Sequence, residues 1–122
     1  MATIEHNIQT AFVTWFGYQY PRFRLNLFAV PNGAKRSRWE RMEKKQEGMT
    51  AGVADMILLV PSTRHHGLCL EFKKAKAAAT SKTYQTPEQR AWQAAVEAQG
   101  YRYEVVRSFE EACNVTIDYM RE

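Results

Sequence analysis

Three residues, Asp55, Glu71 and Lys73, have side chains whose types and spacing suit chemistry at a phosphate group. Asp55 interrupts the otherwise apolar run 53–60 (VADMILLV), where an uncompensated carboxylate would lose several kcal/mol of solvation. Glu71 and Lys73 lie two positions apart in the alternating run 68–74 (LCLEFKK), so a strand there projects both to one face. If the two runs form neighbouring strands, Asp55 and Glu71 converge on one point.

Two converging carboxylates are ligands that hard divalent cations prefer. Mg²⁺ commonly takes one or two carboxylates from a protein and keeps several waters. Such an ion binds a phosphate oxygen and lowers the pKa of a bound water, while Lys73 could orient that water or stabilise developing charge. The three residues therefore favour metal-dependent hydrolysis of a phosphodiester. The alternative is a surface ion pair between Glu71 and Lys73, which is commonplace on strands and stabilises little.

Several helices and strands must position these residues. Apolar spacing of three and four residues indicates helices, alternation indicates strands, and Gly, Pro and capping patterns mark the ends. In chain order the sequence first predicts a helix over 3–17, a strand over 23–30, a turn at Pro31-Asn32-Gly33 and a short basic helix from Ser37 to a C-cap at Gly48. Strands over 53–60 and 68–74 follow, and then a loop over 75–85. The chain continues with a helix from Thr86 to Gln99, a strand over 101–107 and a last helix after Ser108.

The connections between these elements predict the topology. A short loop joins strands 53–60 and 68–74, which should therefore be antiparallel. The passage from strand 68–74 through a helix to strand 101–107 should be a right-handed parallel crossover. The nearly continuous apolar run 53–60 is typical of a strand covered on both faces. We therefore expect an α/β fold in a single domain of residues 1–122, with a central mixed sheet flanked by helices.

The composition excludes disordered and membrane-spanning classes. The chain of 122 residues is 45% hydrophobic, and no apolar run approaches the roughly 20 residues of a membrane helix. Because the N-terminus has no secretory pattern, we expect a soluble protein without a membrane partner, in the cytoplasm, or the host cytoplasm if phage-encoded. Cys69 and Cys113 should be small buried hydrophobes, and His65 and His66 exposed loop residues rather than metal ligands.

The charge distribution is compatible with a nucleic-acid partner. The formal net charge is +4, with 17 Lys and Arg against 13 Asp and Glu. Basic residues fall into two clusters, and the alternative interpretation of each is a solvated face. The clusters are Lys35, Arg36, Arg38, Arg41, Lys44 and Lys45, and then Lys73, Lys74, Lys76 and Lys82.

An ordered set of motifs resembles the VRR-NUC nucleases, a branch of the PD-(D/E)XK nuclease superfamily. The set is Gly48-Met49-Thr50-Ala51-Gly52-Val53-Ala54-Asp55, then Leu70-Glu71-Phe72-Lys73, then Thr86-Pro87-Glu88-Gln89, with Pro31-Asn32-Gly33 before it and Gly100-Tyr101 after it. The match covers nearly the whole chain and is similar to the compact standalone form of phages and bacteria. The resemblance implies a restriction-endonuclease-like core.

The resemblance also implies the roles of the site residues. Asp55 and Glu71 would bind Mg²⁺ or Mn²⁺ with help from the backbone carbonyl of Phe72, and Lys73 would be the catalytic lysine. Glu5 would match an acidic residue of the family's first helix, near the metal site. The alternative role of Glu5 is a favourable charge in the first turn of that helix.

Four further positions follow from the same resemblance. Gln89 would match a catalytic glutamine at a helix start, although it is equally a good capping-box residue. Ala54 stands where the superfamily pattern has proline, which is no metal ligand, so activity is hardly affected. Gly48 and Gly52 would permit a tight backbone approach.

The resemblance implies a substrate and an assembly as well. Standalone members are similar to Holliday-junction resolvases and act as homodimers, so we expect metal-dependent cleavage of DNA, chiefly branched or junction DNA, by a homodimer. Tyr18 and Tyr20 could supply the interface or belong to the core. Phosphates would be held by Lys35, Arg36, Arg38, Lys74 and Lys76. The alternatives are a non-catalytic DNA-binding module on the same fold and a domain that only binds other proteins.

Overall fold

The computed structural model describes residues 4–31, 38–74 and 84–122. Its elements follow the predicted order with one addition, a 3₁₀-helix, and the predicted α/β class is confirmed. They are α1 (Ile4–Gln19), the 3₁₀-helix (Pro21–Asn26), β1 (Leu27–Ala29), α2 (Arg38–Gln46), β2 (Met56–Leu58), β3 (Leu68–Phe72), α3 (Pro87–Ala98), β4 (Arg102–Val106) and α4 (Phe109–Met120).

The four strands form one mixed sheet in the order β1-β2-β3-β4. β1 pairs antiparallel with β2, and β2 pairs antiparallel with β3, with Met56 opposite Leu70. β3 and β4 are parallel, with Cys69 opposite Tyr103, because α3 connects them. The antiparallel pair and the parallel crossover are therefore confirmed.

The alternation along β3 divides the core between two sides of the sheet. Leu68, Leu70 and Phe72 are buried against α1 and α4 in a cluster that includes Phe12 and Tyr119. Cys69 points to the other side, where it lies in a smaller cluster with Ala54, Tyr103 and Trp92. Cys69 and Cys113 are both buried with free thiols, as predicted, and burial raises the pKa of each thiol to about 11.

Helix ends agree with the capping patterns in the described residues. At α3, the Gln89 N–H donates to Thr86 Oγ1 (3.1 Å) and the Thr86 N–H donates to Gln89 Oε1 (2.8 Å), which completes the predicted box. At α4, Ser108 and Glu111 also have the spacing of a capping box. Ser108 Oγ accepts from the Glu111 N–H (3.0 Å), whereas the Glu111 carboxylate accepts from the Arg107 N–H (3.2 Å), so only half of the box forms.

The strand predicted over 23–30 is wrong for its first part. Residues Pro21–Asn26 form a 3₁₀-helix, and only Leu27–Ala29 pair as β1. Proline at the first position presets a helical φ, and the Phe23 N–H donates to the Tyr20 carbonyl (3.0 Å), which closes a turn instead of a ladder. The alternation of apolar residues is real, but Leu25 is 95% exposed.

The strand predicted over 53–60 is also shorter than expected. Only Met56–Leu58 pair as β2, although the Val30 N–H to the Asp55 carbonyl and the Leu59 N–H to the Asn26 carbonyl, each 2.8 Å, extend the contact with β1. Leu59 is half exposed, so the strand is not covered on both faces as predicted. The apolar run 53–60 is therefore buried at its start and at its centre, but not at its end.

One of the two histidines differs from the prediction that both are exposed loop residues. His66 is exposed, but His65 is partly buried and its Nδ1 lies 2.8 Å from Oε1 of Glu122. Ser62 Oγ donates to the same oxygen at 2.6 Å, and Arg102 Nη1 donates to the other carboxylate oxygen at 3.0 Å. This network attaches the end of α4 to the loop between β2 and β3, far along the chain from it.

Tyr18 and Tyr20 have different surroundings. Tyr20 packs into the core against Trp15, whereas Tyr18 is 82% exposed.

Several other predicted positions lie outside the described residues, namely the turn residues Asn32 and Gly33, the Ser37 cap, Lys35, Arg36, Lys76, Lys82 and residues 75–83 of the predicted loop. No helix in the described ranges is both long enough and apolar enough to cross a bilayer.

Two glycines with positive φ flank the approach to β2, and they differ in their surroundings. Gly48 (φ 104°) ends α2, and a Cβ added to it would meet no atom within 4 Å, so it serves as the predicted C-cap and permits no close approach. Gly52 (φ 86°) does permit one, because a Cβ there would overlap the backbone carbonyl of Glu88. Gly52 therefore packs the turn before Asp55 against the first turn of α3.

We expect Gly52→Ala to lower the free energy of unfolding by about 2–5 kcal/mol, since it combines an unfavourable φ with overlap against backbone. Gly48→Ala is the matched control, because it has the unfavourable φ without the overlap and should cost only about 1 kcal/mol. Urea denaturation of the two variants measures both values. Equal losses would show that the contact between Gly52 and α3 is not tight in solution.

Candidate active site

Asp55 lies at the entrance to β2 and is fixed by the backbone of the neighbouring strand. Its Oδ2 accepts the N–H of Phe72, at the end of β3, at 2.7 Å. Because β2 and β3 are antiparallel, the start of one lies beside the end of the other, and this hydrogen bond holds the Asp55 carboxylate next to Glu71. The predicted convergence of Asp55 and Glu71 is therefore present in the fold.

Glu71 is a carboxylate that the protein encloses without giving it a hydrogen-bond donor among the described residues. Its side chain is 1% exposed, and neither oxygen has a hydrogen-bond partner among the described residues. The Tyr103 hydroxyl is close enough to oppose the rise in the pKa of Glu71, but it does not meet the distance and angle of a formed hydrogen bond. A buried carboxylate normally accepts hydrogen bonds or contacts a cation, because its desolvation is otherwise costly. Glu71 is thus a strong acceptor without a donor in the described structure.

Burial and mutual repulsion act on both carboxyl groups in the same direction. Desolvation raises the pKa of Glu71, and the Asp55 charge raises it further, while the Lys73 ammonium opposes the shift. Desolvation likewise raises the pKa of Asp55, against the Phe72 N–H and Lys73, and Glu5 adds repulsion. The pair therefore holds negative charge less easily than exposed carboxylates do and would gain from a nearby cation.

Lys73 follows β3 directly and is half buried. Its N–H donates to the Val106 carbonyl at 2.9 Å, which extends the parallel pairing with β4 by one residue and fixes the backbone from which the side chain starts. The ammonium group is close enough to lower the pKa of both Asp55 and Glu71. The structure therefore brings together the three residues that the sequence singles out.

Glu5 reaches the same region from another element. It lies in the first turn of α1, and its charge raises the pKa of Asp55, so its carboxylate faces the site. Among the described residues, however, no three His, Cys, Asp or Glu side chains are close enough together to hold a metal ion. The role of Glu5 as a metal ligand remains a prediction.

The residues present fit a hard divalent cation. Asp55 and Glu71 supply carboxylate oxygens, and those of Glu71 have no other partner among the described residues. Mg²⁺ needs no more than one or two carboxylates from the protein when waters and phosphates complete its coordination. For the Phe72 carbonyl, the third expected ligand, the role stays a prediction; the observed contact of this residue's backbone is its N–H to Asp55.

Gln89 lies close to the chain before Asp55, but its side-chain oxygen is engaged. Gly52 brings the backbone of Glu88 and Gln89 against the turn that precedes Asp55. Its Oε1 accepts the Thr86 N–H in the capping box. This contact is the capping role that the sequence already offers as the alternative, and the catalytic role of Gln89 remains a prediction.

Tyr103 of β4 belongs to the site although the sequence patterns do not select it, and Arg107 lies just after the same strand. Tyr103 faces Glu71 across the parallel pair, and Gln85 Nε2 lies 3.4 Å from its hydroxyl. Arg107 follows β4, donates from Nη1 to the Lys74 carbonyl at 2.6 Å and lies over the Tyr84 ring. The register of a parallel crossover would have identified Tyr103, but spacing along one strand does not give that register.

The predicted phosphate-binding residues fall only partly within the described chain. Lys74 is half buried at the end of β3, directly after Lys73. Arg38 begins α2, but its side chain, like Lys35, Arg36 and Lys76, lies outside the described residues. Of the predicted phosphate-binding residues, Lys74 is therefore the one whose side chain lies within the described part of the chain.

Comparisons with known proteins agree on one family. The model of the VRR-NUC domain family matches residues 2–110. A solved structure described as a VRR_NUC domain protein superimposes with a TM-score of 0.80, is 22% identical in sequence, and covers 99% of this chain and 91% of its own. At that identity the structural likeness shows the fold alone. No curated protein matches the sequence. Because the family model spans most of its length, the chain belongs to the VRR-NUC domain family.

Proposed function

We propose that the protein is a Mg²⁺- or Mn²⁺-dependent endonuclease that hydrolyses DNA phosphodiesters, with a preference for branched DNA such as Holliday junctions. The VRR-NUC family makes it a nuclease-type domain. The observation that carries the proposal is Glu71, a fully buried carboxylate with no hydrogen-bond partner in the described structure, beside Asp55 and Lys73. A cation and a phosphate are the partners that would satisfy this arrangement.

The chain's own residues have distinct roles in this proposal. Asp55 and Glu71 would hold the divalent ion, which when bound supplies charge neutralisation and a more acidic water. The Phe72 N–H orients the Asp55 carboxylate, so the ligand geometry is set before the ion arrives. Lys73 would offer positive charge where the phosphate gains negative charge.

The wider proposal concerns substrate and assembly. Lys74 and Arg107, together with Lys35, Arg36, Arg38 and Lys76, would contact phosphates without reading bases. Cutting two strands of a junction symmetrically requires two sites related by a two-fold axis, which a homodimer provides. We place this activity in the cytoplasm, including a host cytoplasm if the protein is phage-encoded. A non-catalytic DNA-binding module is the competing function, and it needs no metal.

We expect Lys73→Ala to lower the rate of DNA cleavage at least about a hundredfold, because it removes the charge that stabilises the transition state. Lys74→Ala, one residue further along, should weaken DNA binding and its salt dependence and leave the maximal rate within about threefold. Cleavage of a labelled four-way junction and a linear duplex, with Mg²⁺, Mn²⁺ or EDTA, measures both effects. Cutting in EDTA, or undiminished cutting by Lys73→Ala, would contradict the proposed chemistry.

We expect Glu71→Gln to raise the stability of the metal-free protein at neutral pH by about 1–3 kcal/mol, because it removes a buried charge. The pKa of Glu71 is raised above its ordinary value of 4.5, so the native state binds this proton more tightly than the unfolded state does. Wild type should therefore gain stability as the pH falls from neutrality through the raised pKa, and the advantage of Glu71→Gln should shrink there. Urea denaturation of both proteins across this pH range measures the difference, and an advantage that does not change with pH would contradict the raised pKa.

Mn²⁺ should reverse the order of the two proteins. It should raise the unfolding temperature of wild type and leave that of Glu71→Gln almost unchanged, since only wild type keeps both carboxylates. Glu97→Gln, an exposed glutamate in the last turn of α3, is the control and should respond to Mn²⁺ like wild type. An equal response from Glu71→Gln would remove Glu71 from the metal site.

A further inference from the structure

α2 is a helix that buries almost nothing. Every described side chain from residue 39 to residue 46 is exposed, with Lys44 half buried as the one exception in that range. Helices of this length are marginal by themselves and are usually held by an apolar face packed on a core. Here the apolar residues of the helix face outward, so packing does not account for its composition.

Two large apolar side chains on α2 are presented to solvent. Trp39 is 68% exposed and Met42 is 52% exposed. They lie three positions apart, so they share one face of the helix and form a small apolar patch. Trp15 and Trp92, in contrast, are partly buried and pack against the two core clusters, so Trp39 differs from both in its exposure.

The patch lies within a basic setting. Over Arg38–Gln46 the sequence has four basic residues against two glutamates, which gives a net charge of +2 for the helix. Lys44 pairs with Glu47 just after the helix (3.5 Å), and the formal charge over residues 38–47 stays positive. A helix of net positive charge with an exposed indole suits a polyanion that also has flat aromatic rings. Nucleic acid meets both requirements, because phosphates pair with the charge and bases stack on the indole.

The position of α2 links this patch to the active site. Its last turn is closed by a hydrogen bond from the Met49 N–H to the Lys44 carbonyl (2.8 Å), and Gly52 then packs against α3 just before Asp55. Only residues 47–54 separate the helix from the site. Nine residue steps from Gln46 to Asp55 span at most about 32 Å, so the end of α2 lies within about one helical turn of duplex of the carboxylates.

We infer that Trp39 is a stacking site for an unpaired base of the nucleic acid bound at the Asp55–Glu71 centre, with Met42 covering the edge of that base. The inference rests on the proposed nuclease function and deepens it, because it names the feature by which a branched substrate is selected. Bases within an intact duplex are already stacked on each other, so they offer no free face to the indole. Unpaired bases at a fork, flap or bulge do.

The test is a binding titration in EDTA, which prevents cleavage, with a labelled duplex that has unpaired thymines and with the same duplex fully paired. Trp39→Ala should weaken binding of the DNA with unpaired bases by about fivefold to a hundredfold and change binding of paired DNA by less than about twofold. Trp39→Phe should retain most of the affinity, since it keeps an aromatic face. In wild type, DNA with unpaired bases should quench tryptophan fluorescence, and this quenching should be lost in Trp39→Ala.

Leu25→Ala is the matched control, because Leu25 is an exposed apolar residue outside α2 and should leave both affinities unchanged. If Trp39→Ala loses the same affinity for both DNAs, or loses none, the stacking site is wrong. The proposed nuclease function would stand in that case, provided that the wild type cuts DNA. If Trp39→Ala changes the sedimentation coefficient and leaves DNA binding unchanged, Trp39 belongs to an interface between copies of the chain and the stacking site is wrong. A wild type that neither binds nor cuts DNA would reject the proposed function itself.

Discussion

The buried carboxylate of Glu71 is the constraint on which the arrangement of the site depends. Its oxygens lie within the protein without a hydrogen-bond donor in the described structure, which is costly in a fold whose total stability is only several kcal/mol. A sequence that keeps such a group uses it for something other than stability. The neighbouring ammonium of Lys73 offsets part of the cost, and Asp55 adds to it. The residual deficit of positive charge is what makes this point of the sheet suited to a cation and a phosphate.

The rest of the fold is arranged around that point. The antiparallel pairing of β2 with β3 places Asp55 beside the end of β3, and the hydrogen bond from the Phe72 N–H keeps it there. Parallel pairing with β4 encloses Glu71 with Tyr103 on the α3 side of the sheet. Gly52, which has no Cβ, allows the turn before Asp55 to touch α3. A small number of backbone contacts therefore sets the geometry of the carboxylates.

Much of this could be predicted from the sequence, and the failures have physical reasons. Alternation along 68–74 gave the correct faces for Leu70 and Glu71 because a strand has a strict period of two. The capping pattern of residues 86–89 gave the start of α3 because a capping box acts locally. The strand predicted over 23–30 failed where Pro21 favours a turn, since short apolar alternation does not distinguish the two. Tyr103 was missed because its place beside Glu71 depends on the register between distant strands, which no local pattern encodes.

The measurement that tests the proposed metal site most directly is a crystal structure of the protein grown with Mn²⁺, with anomalous scattering recorded to locate the ion. We expect an anomalous peak in contact with carboxylate oxygens of both Asp55 and Glu71, with Lys73 on its open side. No peak there at a saturating Mn²⁺ concentration, with the Glu71 oxygens accepting hydrogen bonds from protein groups, would contradict the proposed site.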